Sequence, residues 1–243
     1  MFGVVQRNND PVRLTFAPQI AWLEFDIDHV GIFRGTVRGI QGNLEYRKPY
    51  AVYVAANVDW IMGAVKAQQD MSRYIHDLKS TIRLGFTVPL YYSRGVFLTL
   101  YSGFGFDYNI QHIRPDNVLG SEKYYYYQYF IPAGFSFEAR PFSYFGFGLN
   151  LEWDPQINSR VKLDGQPGIK WDLYNKSGYI IEVPFNFFIA SSKLTTFSIS
   201  IIPYLRRNVE GKLSALLSNG SKYELPKQTF KYWGGRLGFT FIF

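Results

Sequence analysis

Read with a period of two, the final segment of the chain splits cleanly. Phe243, Phe241, Phe239 and Leu237 fall on one face and continue through Gly235 to Trp233. Ile242, Thr240, Gly238, Arg236, Gly234 and Tyr232 fall on the other. Such alternation marks a strand with unlike faces. The pattern recurs upstream: Val12, Leu14, Phe16, Pro18, Ile20 and Trp22 form one apolar stripe, and Val52, Val54, Ala56, Val58, Trp60 and Met62 another. Ile82 to Val88, Val96 to Phe106, Ile131 to Phe137, Phe145 to Trp153, Ile181 to Phe187 and Phe197 to Ile201 continue the series. No stripe contains a charge. The pattern predicts about ten strands, with eight or twelve as the neighbouring counts, near 12–26, 31–46, 50–65, 75–89, 95–111, 123–138, 143–154, 179–189, 194–207 and 228–243.

No helical pattern supplies a second layer to cover these faces, so they are expected to meet lipid. A Lys or Arg facing lipid at the midplane costs about 2–4 kcal/mol, which gives the charge-free stripes their weight. The second strand fits least well, because Arg38 shares the face of Ile40, Leu44 and Tyr46. Two readings remain there: an interfacial position for Arg38, or a different register. The fold expected is an antiparallel up-and-down transmembrane β-barrel in one domain, residues 1–243, with 1–10 as an N-terminal tail.

Short connections near Arg47-Lys48-Pro49, Pro89 to Gly95, Ala139 to Phe142 and Ala190 to Lys193 alternate with longer polar ones near 67–74, 113–122, 155–178 and 208–227. That asymmetry suits a membrane barrel with tight turns on one side and long loops on the other. Asp164-Gly165-Gln166-Pro167-Gly168 and Ser218-Asn219-Gly220-Ser221 are turn signals inside two of the long connections, and they predict ribbons outside the membrane. Trp22, Trp60, Trp153 and Trp233 each stand about ten residues from the short-turn end of their strand, which is the length needed to cross the hydrocarbon. They are expected to form the outer aromatic girdle, with Tyr50, Tyr91, Tyr92, Tyr144 and Phe243 as the inner one.

Composition removes several classes. The 243 residues contain no run long and apolar enough for a membrane helix, and mean hydropathy is −0.11. Absence of cysteine rules out disulfides and thiolate metal sites. The net charge of +7 is scattered, with no basic helix or nucleic-acid module, so nucleic acid is not expected as a partner. No secretory signal follows Met1, so the chain reads as a mature form whose signal has been removed. A soluble lipocalin-like carrier is disfavoured, since ten charge-free outward stripes would not dissolve.

The charge-free strands, the girdles and Phe243 closing Gly238-Phe239-Thr240-Phe241 resemble the outer-membrane β-barrel superfamily of Gram-negative bacteria. The resemblance covers nearly the whole chain as a pattern and is carried by a short motif. It implies a place in the outer membrane among its lipids and lipopolysaccharide. It also implies that the last strand serves as a recognition signal for the barrel-assembly machinery. Size and loop layout are similar to the small eight- to ten-stranded members, which include adhesins, structural barrels and a few hydrolases. The fold transfers from such a likeness; an activity does not.

The opposite face of the strands carries Arg13, Glu45, Asp59, Lys79, Arg83, Asp107, Glu138, Arg140, Glu152, Asp154, Glu182, Arg206 and Arg236. In a narrow barrel these are expected to pair and fill the lumen; the alternative is a charged constriction for small solutes, as in a porin. Inward glycines such as Gly105 and Gly234 are expected to make room for long neighbours. The run Tyr124-Tyr125-Tyr126-Tyr127 predicts either girdle packing or an exposed aromatic platform for a host or glycan ligand. Lys212, Lys222 and Lys227 in the outer loops could hold sulfated glycans or lipopolysaccharide phosphates. Catalysis has little support. Asp26-Ile27-Asp28-His29 and His76-Asp77 are local clusters that do not reproduce the paired acidic and His-Asp motifs of barrel-rim proteases. A lipid deacylase's His two residues before a Ser is absent. No cofactor or metal is expected, and the reading is a monomeric, non-enzymatic surface or envelope protein. A narrow channel and a rim hydrolase are the alternatives.

Overall fold

The computed structural model describes residues 12–67, 71–91, 95–115, 122–164, 170–172, 177–191, 195–211, 213–216 and 222–243. Its elements are β1 (Val12–Ile27), β2 (Gly31–Arg47), β3 (Val52–Lys66), β4 (Met71–Tyr91), β5 (Val96–Pro115), β6 (Glu122–Phe130), β7 (Ala133–Phe142) and β8 (Phe145–Leu163). They continue with β9 (Lys170–Asp172), β10 (Ser177–Glu182), β11 (Phe185–Ser191), β12 (Thr196–Glu210), β13 (Leu213–Leu216), β14 (Lys222–Leu225) and β15 (Gln228–Ile242). Every pairing is antiparallel, and the sheet closes because β15 pairs with β12 on one side and β1 on the other. β6 and β7 are two parts of one wall strand, interrupted at Ile131-Pro132; β10 and β11 are parts of another, interrupted at Val183-Pro184. Proline cannot donate to a ladder, and each break contains one, although Pro18 and Pro203 lie inside unbroken strands. The wall thus has ten strands, as the period-two pattern predicts.

The strands are strongly staggered. Cross-strand partners lead from Trp153 through Ala133, Ser102, Leu84, Val54 and Tyr46 to Val12, at the far end of β1 from Trp22. Tilt of this kind is what closes a sheet into a barrel. It also resolves Arg38. The residue pairs with Ile20 and Met62, between the row of Trp60 and Ile40 and the row of Trp22 and Thr36. Arg38 keeps the outward face of Ile40 and sits in the girdle, where a cation facing out costs little.

Phe16, Ile20, Ile82, Leu84 and Leu100 are each more than half exposed on the outer surface. A continuous apolar belt of that extent belongs in hydrocarbon. Beyond the Trp positions the faces exchange character. Glu24 now points outward, while Leu23, Phe25 and Ile27 point inward. They join Phe33, Val37, Ile61, Val65, Ile75, Phe230 and Tyr232 in a buried cluster inside the barrel. The Phe25 and Phe230 rings stack at 4.2 Å, and the Arg73 guanidinium lies 5.1 Å from both Phe25 and Phe33. This apolar filling adds to the paired charges that the sequence places in the lumen.

The wall runs further outward than predicted: β5 continues to Pro115, β8 to Leu163 and β12 to Glu210. Both predicted ribbons exist. Arg160 to Lys162 pair with β9, and β13 pairs with β14 from Leu213↔Leu225 to Leu216↔Lys222. Their predicted turn residues, apart from Asp164, lie outside the described residues.

Candidate functional site

Within the belt, inward side chains form ion pairs in layers. Nearest the short turns, Arg13 meets Glu138 at 2.7 Å, and Arg47 meets Glu138 at 2.9 Å and Glu45 at 2.8 Å. Further out, Lys79 reaches Asp154 at 2.5 Å and Glu152 at 3.2 Å, and Arg83 reaches Glu152 at 2.7 Å. Arg236 bridges Asp59, at 3.1 Å, and Glu182. Arg206 holds Asp77 at 3.0 Å and Asp107 at 2.9 Å. The glycines give these long side chains space: a Cβ at Gly134 would lie 2.8 Å from the Tyr101 hydroxyl, and one at Gly234 would lie 2.9 Å from the Tyr204 ring.

A cavity of about 150 Å³ lies among the inner layers, lined by Asn43, Asn57, Arg83, Asn150 and Glu182 among others. Outward of it the cross-section is occupied, first by Arg236, Lys79 and Arg206, then by the aromatic and aliphatic cluster and by the buried, hydrogen-bonded side chains of Arg73, Gln111, Gln228 and Tyr126. Leu23, Phe25, Val65 and Ile75 have no exposed surface at all.

Of the predicted lumen charges, all but one enter these layers. Arg140 instead donates to the Ser143 carbonyl at 2.5 Å and stacks over Phe188 at 3.7 Å, at the inner mouth. Arg47 and Asp77 join the layers as well, beyond the predicted set. Parity is their signal: Arg47 alternates with Glu45, and Asp77 with Lys79, although Arg47 borders a turn and Asp77 adjoins His76 in sequence.

The tyrosine run divides between two faces. Tyr124 and Tyr126 are buried in the barrel, and Tyr126 donates to Gln228. As ligand contacts on an outer platform they are therefore corrected: neighbours in a strand point to opposite sides. Tyr125, Tyr127 and Tyr129 do face out. Through β5, β6 and β8 they form rows Phe106–Tyr129–Asn158, Tyr108–Tyr127–Arg160 and Ile110–Tyr125–Lys162. Two grooves of about 320 and 300 Å³ mark this wall, the first lined by Tyr74, His76, His112 and Lys123, the second by Tyr127, Tyr129, Arg160 and Lys162. On the other side of the barrel, Glu24 ties up Lys231 at 3.0 Å and Arg34 at 3.2 Å. The Lys231 hydrogen bond, helped by Arg34, holds the Glu24 carboxyl below the ordinary carboxylate range.

Trp22 and Trp233 are cross-strand partners, and Trp60 and Trp153 are exposed on the same surface. Phe243 exchanges backbone hydrogen bonds with Val12 at the inner end. Lys227 is exposed; Lys212 lies outside the described residues, and for Lys222 only the β14 backbone is described. His29 occupies the β1–β2 turn with φ of 65°, so its conformation is set by the turn. His76 points out from the wall, while Asp77 points in to Arg206, which separates that pair. Among the described residues no group of three or more His, Cys, Asp or Glu side chains is placed to hold a metal.

No family model matches the sequence, and no curated protein does. Solved structures do match. The outer membrane protease OmpT from Escherichia coli is similar over 96% of this chain and 97% of its own, with a TM-score of 0.65 and 9% identity. The chain has the outer-membrane β-barrel fold. A second member of that fold, the translocator domain of the autotransporter NalP from Neisseria meningitidis, is similar over 98% of this chain and 90% of its own, with a TM-score of 0.50 and 11% identity. At such identities these outer-membrane barrels share architecture with this chain, and function has to be read from its own side chains.

Proposed function

We propose that this chain is an integral protein of a bacterial outer membrane that does not conduct solutes. It acts at the cell surface through the part of the barrel standing beyond the girdle, in adhesion or in support of the envelope. The observation that carries this reading is the filled outer lumen: an apolar cluster, together with buried side chains hydrogen-bonded to one another from Arg73 through Gln111 and Gln228 to Tyr126, occupies the same bore that the ion pairs already narrow. A channel needs a continuous open path, and that packing interrupts one.

The exposed surface suits anionic saccharide partners, whether lipopolysaccharide of the surrounding leaflet or a host glycan. Tyr125, Tyr127 and Tyr129 offer ring surface, and Lys123, Arg160, Lys162 and Lys227 supply charge. A non-enzymatic role is supported by the place of His29 in a turn and by the separation of His76, which faces out, from Asp77, which faces Arg206. The testing measurement is single-channel recording of the refolded protein in a planar bilayer. Silence is expected; stable ohmic steps would transfer the assignment to a narrow channel. Binding to heparin-like polymers, compared with a Lys212→Glu, Lys222→Glu, Lys227→Glu variant, tests the surface role. Loss of binding is expected, and unchanged binding would remove its electrostatic basis.

A further inference from the structure

Two spaces meet at the inner end of the barrel. The cavity of about 150 Å³ shares Arg13, Arg47, Glu138, Phe188 and Ile242 as walls with a smaller one of about 70 Å³, which reaches Pro49 and Gly95 beside the short turns. In the other direction the larger space ends at the ion pairs of Arg236, Lys79 and Arg206. Together they make a blind chamber entered from the short-turn side, which faces the periplasm in barrels of this kind.

The entrance is cationic. Arg13 and Arg47 share one oxygen, Glu138 Oε2, at 2.7 and 2.9 Å, and Arg47 also holds Glu45 at 2.8 Å. Arg140 is the third guanidinium on the smaller space, fixed there by the Ser143 carbonyl and the Phe188 ring. Three guanidinium groups thus meet two carboxylates, which leaves one positive charge in excess. Each guanidinium carries five N–H donors in a fork that fits a carboxylate. The chamber behind carries amides and hydroxyls, among them Asn43, Asn57, Ser136 and Ser198, beside the paired Arg83 and Glu152.

Two buried polar atoms of these walls have no hydrogen-bond partner: Arg13 Nε, a donor, and Asn43 Oδ1, an acceptor. Such atoms are uncommon in native proteins and costly to leave unpaired. Arg13 is the cross-strand partner of Glu45, and Asn43 is the next inward residue on the strand of Glu45. Their levels therefore differ by about 7 Å along the strand. An extended peptide spans that distance in two residues, from its terminal carboxylate to an N–H donor.

We infer that this chamber binds a small carboxylate carrying a hydrogen-bond donor about two residues away, of which the carboxyl end of a short peptide is the type. The carboxylate lies between Arg13 and Arg140 at the entrance, and the donor meets Asn43. The ligand enters from the periplasm and goes no further. Acetyl-alanyl-alanine, titrated calorimetrically into the detergent-refolded protein, is the probe, with acetyl-alanyl-alanine amide and inorganic phosphate for comparison. Saturable binding of one peptide per barrel is expected, and the amide should bind at least tenfold more weakly, since it offers the guanidinium groups no charge. Arg140→Gln should raise the dissociation constant of the peptide about tenfold, and Asn43→Ala about threefold. Asn43→Ala keeps every charge, which covers the case in which Arg140→Gln does not refold. No saturable binding, or equal binding of peptide and amide, would overturn the site. Phosphate binding as tightly as the peptide would leave only a cationic entrance that holds any anion, and would overturn it too. So would peptide binding unchanged in both variants, which would place the peptide elsewhere.

Discussion

Below Trp22, strand β1 turns Phe16 and Ile20 outward and Arg13 and Gln19 inward; above it, Glu24 faces outward and Leu23, Phe25 and Ile27 face inward. The backbone alternation never changes. What changes is the medium outside, from hydrocarbon to water, and with it the chemistry each face needs. The inner half keeps its apolar groups in lipid and must satisfy its polar groups within the lumen, through cross-barrel pairs. The outer half packs more like a water-soluble barrel, with an apolar cluster and a few hydrogen-bonded polar groups inside and the Glu24 ion pairs outside. The two halves are therefore held by different forces and should fail differently.

The largest expected effect lies in the charged half. Arg206→Leu leaves Asp77 and Asp107 buried without their guanidinium, and should destabilise by about 3–5 kcal/mol in chemical unfolding of the refolded protein. A loss below 1 kcal/mol would mean that the layer is not sealed from water. In the apolar half, Phe25→Ala removes the ring stacked on Phe230 and should cost about 3 kcal/mol, with hydrogen exchange rising first in the outer ends of β1, β2 and β15. Uniform exchange changes would show that the halves unfold together. Moving a charge onto the outside sharpens the contrast. Phe16→Lys, well inside the belt, should cost about 2 kcal/mol, whereas Thr36→Lys, level with Trp22, should change stability by less than about 0.5 kcal/mol. Equal costs would misplace the girdle.

The smallest effect is at Glu24. A double-mutant cycle with Lys231 should give a coupling of about 0.2–1 kcal/mol at neutral pH. The Glu24 carboxyl is depressed in the folded state, so its contribution is complete above the unfolded carboxylate value of about 4.3 and disappears as pH falls through the lower folded value. Coupling that persists at strongly acid pH would have to come from packing.

Much of the belt was legible in the chain, because lipid imposes one requirement on every outward position. The strand count, the Trp level and the inward charges all follow from period two. Partner choice does not. Arg13 and Glu138, or Lys79 and Asp154, meet across the bore through strand order and stagger, which parity alone does not encode. The inverted core was written in the sequence as Leu23, Phe25 and Ile27, directly after Trp22. Recognising it requires knowing that the wall continues beyond the membrane, and that depends on pairings as distant as Glu210 with Gln228. The tyrosine run was opaque for a simpler reason: identical neighbours leave no pattern from which to assign faces.

The hydrogen bonds between Val12 and Phe243 set an order of events. The seam of the cylinder is its first strand against its last, so nine strands without the tenth make an open sheet with two raw edges. Water, or the lipid surface, must tolerate those edges until the tenth arrives. Shortening the chain by a single strand at the end would therefore not yield a slightly smaller barrel. It would bring β1 against β12, two strands that run the same way, and remove the antiparallel seam.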